Sequence, residues 1–120
     1  MAYETTVIAV GSQAHTFFAE NMALTFGSKA PQELKDYCYI LEETRLLGAL
    51  RVGQQVLIGE QSWTITALGD VAEKNLANLA HVTLVFDGAA AASMAGAIHL
   101  SGPAEEPALK LGARVVFGHE

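Results

Sequence analysis

The sequence predicts an all-β fold, a small barrel-like domain with one or two short helices, and three observations carry that expectation. Apolar residues fall in short runs rather than in long helical stretches. Glycines interrupt the runs about every eight to twelve residues, the turn spacing of a sandwich or barrel. A chain of 120 residues, 51% apolar and 17% charged, supports one hydrophobic core, since about two-thirds of the unfolded surface leaves water at this size. One domain over residues 1–120 is expected, folding without a metal or a disulfide.

The expected strands are Tyr3 to Val10, Met22 to Phe26, Tyr37 to Leu41, Gln55 to Ile58, Trp63 to Leu68, His81 to Phe86, Ala97 to Leu100 and Arg114 to Phe117. All but the third end near Gly11, Gly27, Gly59, Gly69, Gly88, Gly102 or Gly118. Asp70 to Leu79 reads as a short helix, because Asp70 and Glu73 have the spacing of an N-cap residue and its third-position partner. Val71, Leu76 and Leu79 fall on one broad face of it. Ser28, Pro31 and Glu33 mark a helical turn through Asp36, proline being well tolerated in a first turn. The alanine-rich stretch Gly88 to Ala97 is expected to close a hairpin with some helical character, and Gly102 to Pro107 to form a surface loop. No repeat of about 20 to 50 residues is visible.

The formal net charge is −6, and the basic residues Lys29, Lys35, Arg45, Arg51, Lys74, Lys110 and Arg114 make no stripe, which excludes nucleic acid as a partner class. The start Met-Ala-Tyr-Glu-Thr-Thr lacks a basic region followed by an apolar stretch, and no uncharged apolar run of about 18 residues occurs, so a cytoplasmic location is expected. Cys38 is the sole cysteine, which excludes an intrachain disulfide and a four-cysteine zinc site. Within Tyr37-Cys38-Tyr39-Ile40 it reads as a small buried hydrophobe.

Histidines are the side chains that titrate near neutral pH, and this chain has four as candidates for proton or phosphoryl transfer. His119 adjoins the C-terminus, where chain ends fray, and carries no expected role. His15 precedes Phe17-Phe18 and reads as a surface turn or a partly buried contact. His99 alternates with Ile98 and Leu100, which turns it to solvent or to a cavity. His81 follows the expected helix at an element boundary, where a ring is both positioned and accessible. Thr83, two residues on, shares its strand face and offers a hydroxyl to a phosphate oxygen or to the second ring nitrogen. An antiparallel hairpin at Gly88 to Ala97 would bring His99 toward His81 and Thr83, with the register deciding whether the rings meet. Glu42 and Glu43 point to opposite faces and read as solvated surface. There is no phosphate loop, G-x-G-x-x-G, G-x-S-x-G or H-E-x-x-H, and no cofactor is called for.

The run from Val71 to Gly88, with Glu73-Lys74-Asn75-Leu76 and His81-Val82-Thr83-Leu84-Val85-Phe86-Asp87, is similar to the most distinctive segment of the glucitol/sorbitol-specific IIA family of the phosphoenolpyruvate-dependent phosphotransferase system. Met22 to Phe26, Ala30-Pro31 with Leu34 and Tyr37-Cys38, Gly48-Ala49-Leu50 with Gly53, Ile65 to Gly69, and Gly96 to Leu100 with Gly102-Pro103 extend the resemblance from about Tyr3 to Phe117. The resemblance implies a single barrel-like IIA domain acting in glucitol/sorbitol uptake. Such a domain takes phosphoryl from the histidine-containing phosphocarrier protein and passes it to the IIB domain of the sorbitol permease. Membrane association is then only indirect, through the permease, and the oligomeric state stays open. In the family the phosphorylated residue follows the Tyr-Cys-aromatic-Ile stretch; here that position is Leu41, which cannot accept a phosphoryl group. Either His81, which matches a family histidine, is the acceptor, with His99 next; or the chain is a non-phosphorylated paralogue serving as a protein-binding regulatory module. A small-ligand-binding barrel is a further class.

Overall fold

The structure, a computed structural model, describes residues 1–120. The strands are β1 (Tyr3–Val10), β2 (Met22–Phe26), β3 (Cys38–Leu41), β4 (Gln55–Ile58), β5 (Gln61–Leu68), β6 (Thr83–Val85), β7 (Ala97–Ser101) and β8 (Arg114–His119). They close into a barrel in the order β1-β3-β2-β6-β7-β5-β4-β8, so every edge is paired within the chain. Three short helices complete the fold: a 3₁₀ helix at Ala14–Glu20, α1 (Gln32–Lys35) and α2 (Ala72–Leu79). None is long and apolar enough to cross a membrane.

The expected all-β barrel is observed, with three departures in detail. The 3₁₀ helix was not anticipated, because its Ala-His-Thr-Phe-Phe-Ala-Glu sequence has no side-chain cap and no helical apolar period. α2 starts at Ala72 after Val71 with no side-chain cap; Glu73 instead accepts the Leu50 N–H at 2.7 Å, so the expected capping partner ties the helix to the β3–β4 connection. Gly88 to Ala97 does not close a hairpin. β6 and β7 are parallel, pairing Thr83 with Ala97 and Val85 with His99, and a parallel pair requires the chain to cross back rather than turn tightly.

The barrel is built from two copies of one arrangement, 58 or 59 residues apart. β1 pairs with β3 through Val7–Leu41, Ala9–Ile40 and Val10–Tyr39, and β5 pairs with β7 through Ile65–Leu100, Ala67–His99 and Leu68–Ile98, each with a bulge at the same place. β2 runs parallel to β3 as β6 runs parallel to β7. The two copies meet where β2 and β6 pair antiparallel around Leu24 and Thr83, and β4 with β8 closes the other side. Asn21 and Ala80, the only non-glycine residues with positive φ, at +59° and +53°, end the 3₁₀ helix and α2 at equivalent points. The repeat escaped the sequence because what recurs is register, glycine placement and backbone conformation, not side-chain identity.

Alternation sets two apolar clusters. Val7, Tyr39, Leu41, Trp63, Ile65, Leu84, Ile98, Leu100 and Phe117 fill the interior. Phe26, Ala30, Cys38 and Ile40 form a smaller cluster outside β2 and β3, with Leu24 and Leu79 against it. Burial of Cys38 raises its thiol pKa, so the small-hydrophobe expectation stands.

Gly11 and Gly69 occupy equivalent points where β1 and β5 pass under the segments leading into β3 and β7. A Cβ on Gly69 would overlap the Ala95 carbonyl, a backbone group held in place because it accepts the Val71 N–H at 3.0 Å. Gly69→Ala is therefore expected to lower stability by about 1–3 kcal/mol, read as a drop in the urea midpoint. Gly48→Ala, with nothing within 4 Å of the added methyl, should leave the midpoint unchanged or slightly raised.

Candidate functional site

His81 is placed by the end of α2. Ala80 takes the left-handed conformation, and the turn is closed by the Ala80 N–H on the Leu76 carbonyl at 3.0 Å and the His81 N–H on the Asn75 carbonyl at 3.2 Å. This lays residues 79–82 against β2. The Gly27 N–H donates to Leu79 and the Thr25 N–H to Val82. The buried Thr25 hydroxyl donates to the Ala80 carbonyl at 2.9 Å and accepts the Val82 N–H at 3.1 Å. The imidazole packs face to face on Phe26, ring centres 4.2 Å apart and 25° between planes. Its Nδ1 lies 2.9 Å from the Thr25 carbonyl. A carbonyl only accepts, so Nδ1 carries the proton and the neutral ring keeps its lone pair on Nε2. No group of the chain engages that nitrogen, and the residue is half-buried.

His99 has the opposite character. It is 1% exposed, and both ring nitrogens are occupied. Nε2 accepts the Ser93 backbone N–H at 3.0 Å, with the Ser93 hydroxyl at 3.2 Å; Nδ1 therefore carries the proton and donates it to Asp87 at 2.8 Å. The ring pins the crossover between β6 and β7 rather than facing solvent or an open cavity, because that crossover folds over the outer face to which alternation had assigned it. Asp87 is held below its ordinary carboxylate value by the His99 hydrogen bond first and the Ala89 N–H second.

The other candidates separate as clearly. Thr83 pairs with Leu24 on the outer face, but its hydroxyl does not hold the ring; the orienting group is the backbone of Thr25, which the sequence offered no reason to choose. Leu41 is fully buried and packs within the barrel. The crossover keeps His99 at the β6–β7 pair and does not fold it back as a hairpin toward His81. His15 is exposed on the 3₁₀ helix. His119 is not frayed but ends β8, paired with Gln55. Glu42 and Glu43 are exposed, as expected.

Comparison with known proteins gives one consistent answer. Residues 2–116 match the family described as PTS system glucitol/sorbitol-specific IIA component. The chain is 42% identical over 101 residues to the PTS system glucitol/sorbitol-specific EIIA components of Shigella flexneri and of Escherichia coli (strain K12), covering 84% of this chain and 82% of each relative. The crystal structure of the PTS system IIA component from Enterococcus faecalis V583 superposes with a TM-score of 0.82 at 28% identity, over 97% of this chain and 99% of that one.

Removing the Asp87 carboxylate leaves the buried His99 Nδ1–H without its partner. Asp87→Ala should cost about 1–3 kcal/mol at neutral pH and speed amide exchange at Ser93. Because the folded pKa of Asp87 is lowered, its contribution is complete above the ordinary carboxylate range and is lost as pH falls through the lowered value. Urea unfolding as a function of pH should show the wild type losing more stability than Asp87→Ala below about pH 4.

Proposed function

The chain belongs to the glucitol/sorbitol-specific IIA component family of the phosphotransferase system, and from that premise we propose that it relays phosphoryl groups in glucitol/sorbitol uptake with His81 as the acceptor. The observation that carries the reading is the His81 ring itself: Nδ1 is committed to the Thr25 carbonyl, the face is seated on Phe26, and Nε2 is free.

Phosphoryl transfer asks a carrier for a positioned nucleophile and little more. The Nε2 lone pair forms a bond to phosphorus while the P–N bond to the donor's histidine breaks, and the electron pair of that bond returns to the donor ring. The proton stays on Nδ1, donated to the Thr25 carbonyl throughout, so the tautomer that accepts is the one the resting site holds. The donor is the histidine-containing phosphocarrier protein, and the recipient is the IIB domain of the sorbitol permease, which gives a cytoplasmic protein its only tie to the membrane. Thr83, on the same outer face with an uncommitted hydroxyl, is assigned to a phosphate oxygen of the transferring group. His99 has both ring nitrogens engaged and is assigned to the scaffold.

A second reading follows from Leu41. It stands where the resemblance places the family's phosphohistidine, and it is buried, so a non-phosphorylated paralogue acting as a protein-binding regulatory module is the alternative. Intact-mass measurement after incubation with phosphoenolpyruvate and the phosphocarrier enzymes separates the two. The relay predicts one acid-labile phosphate on the wild type, none on His81→Ala, and retention on His99→Asn provided that variant folds. A folded wild type that gains no phosphate while still binding its partners would establish the module.

A further inference from the structure

An imidazole that accepts a phosphoryl group changes charge as it does so. Nε2 forms its bond to phosphorus, the P–N bond to the donor breaks, and the electron pair of that bond leaves with the donor nitrogen. The His81 ring has then given its lone pair and kept its Nδ1 proton, so it carries one positive charge. None of the chain's ion pairs includes His81, whereas His99, assigned to the scaffold, has Asp87 beside it. Two contacts of the His81 ring are placed to favour the cation. The Thr25 carbonyl lies 2.9 Å from Nδ1, and the phenyl face of Phe26 lies against the ring, 4.2 Å between centres and 25° between planes.

Phe26 is 6% exposed and ends β2, paired with Ile40 of β3. The Gly27 N–H donates to the Leu79 carbonyl at 2.8 Å, which ties the end of β2 to the end of α2. The side chains clustered with Phe26 are Leu24, Ala30, Cys38, Ile40 and Leu79. All are small or aliphatic, so a leucine would serve that packing nearly as well as a phenyl ring. What the aromatic residue alone supplies is a face of negative potential turned to the imidazole.

Both contacts strengthen as charge develops. A carbonyl accepts more strongly from a cationic N–H, and a phenyl face attracts a cation more than a neutral ring. Interactions that are stronger in the transition state than in the resting site are the ones that speed a reaction. We infer that Phe26 takes part in the transfer, its face stabilising the phosphoimidazolium that His81 becomes; this rests on the reading of His81 as the acceptor.

The test replaces Phe26 with mono-, di- and trifluorophenylalanine, rings of nearly constant shape whose faces hold progressively less negative potential. Each full-length variant is phosphorylated with potassium phosphoramidate, a small donor that needs no partner protein, and separately with phosphoenolpyruvate and the phosphocarrier enzymes. Phosphate on His81 is the mass gain that His81→Ala lacks. With phosphoramidate the rate should fall about twofold per fluorine, and Phe26→Leu should be about tenfold slower than wild type. The nitrogen NMR signature of the Nδ1–H tautomer should be the same across the fluorinated series. Glu43→Gln, which removes the exposed carboxylate packed on Gly27, should change the rate by less than about twofold.

A graded loss with phosphoramidate but no phosphate from the enzymes would uphold the role of Phe26 and end the relay. Phosphate from both donors at a rate indifferent to fluorine would leave the relay standing and overturn the inference. It would equally be overturned by a rate that falls only as the Nδ1–H signature is lost, by slowing in Glu43→Gln in place of the fluorinated series, or by no phosphoramidate reaction at His81.

Discussion

The antiparallel pairing of β2 with β6 is the constraint on which the rest of the molecule depends. It is short, three register pairs from Met22–Val85 to Leu24–Thr83, yet it joins the two halves of the barrel directly. Each strand continues a parallel pair to its own partner, β3 or β7, and each is preceded by a helix ending in a left-handed residue. Antiparallel pairing puts the start of one strand beside the end of the other. The Met22–Val85 pair and the His81–Phe26 stack are therefore the same contact in the two halves. An imidazole at the start of one half finds an aromatic seat waiting at the last position of the other.

That geometry explains why two histidines of one short chain have opposite characters. His99 sits where Ile40 sits in the other copy, in the middle of a strand and under the segment that crosses back between parallel strands. Such a position is covered, and an imidazole there survives only with both nitrogens satisfied, since an unpaired buried polar group costs about 1–3 kcal/mol; Asp87 and Ser93 meet that need. His81 sits at a junction between helix and strand, where the backbone of one neighbour commits one nitrogen and nothing covers the other. Local position in the repeat, not residue type, separates a scaffold histidine from a candidate nucleophile.

The strands were legible in the sequence because glycine punctuation and short apolar runs report local geometry, and strand boundaries moved by no more than two residues, as at β6, where His81 and Val82 precede the strand. The parallel crossover was not legible. Gly88 to Ala97 has the small residues of a tight hairpin, and what makes it a crossover is the long-range tether from Asp87 through His99 to Ser93. The element preceding β2 was lost for a similar reason: Ala14–Glu20 is held by its place in the repeat. His81 could be chosen from its position at a boundary. Thr25 could not, because its role is played by a backbone carbonyl and by a hydroxyl that reaches residues 55 and 57 positions away.

Leu41 takes its meaning from the same symmetry. It is the counterpart of Leu100: Leu41 pairs with Val7 as Leu100 pairs with Ile65, and both side chains are buried in the interior cluster. A leucine at each point gives the two halves the same packing and closes the interior at both. A histidine at position 41 would have to desolvate a polar ring among Val7 and its apolar neighbours or else hold open a route to solvent, and either course disturbs a layer that the leucine fills. Leucine at position 41 therefore serves packing. At the β2–β6 junction the His81 imidazole keeps one ring nitrogen unengaged while the Thr25 carbonyl and the Phe26 ring fix its frame, and that is why the proposed relay places its acceptor there.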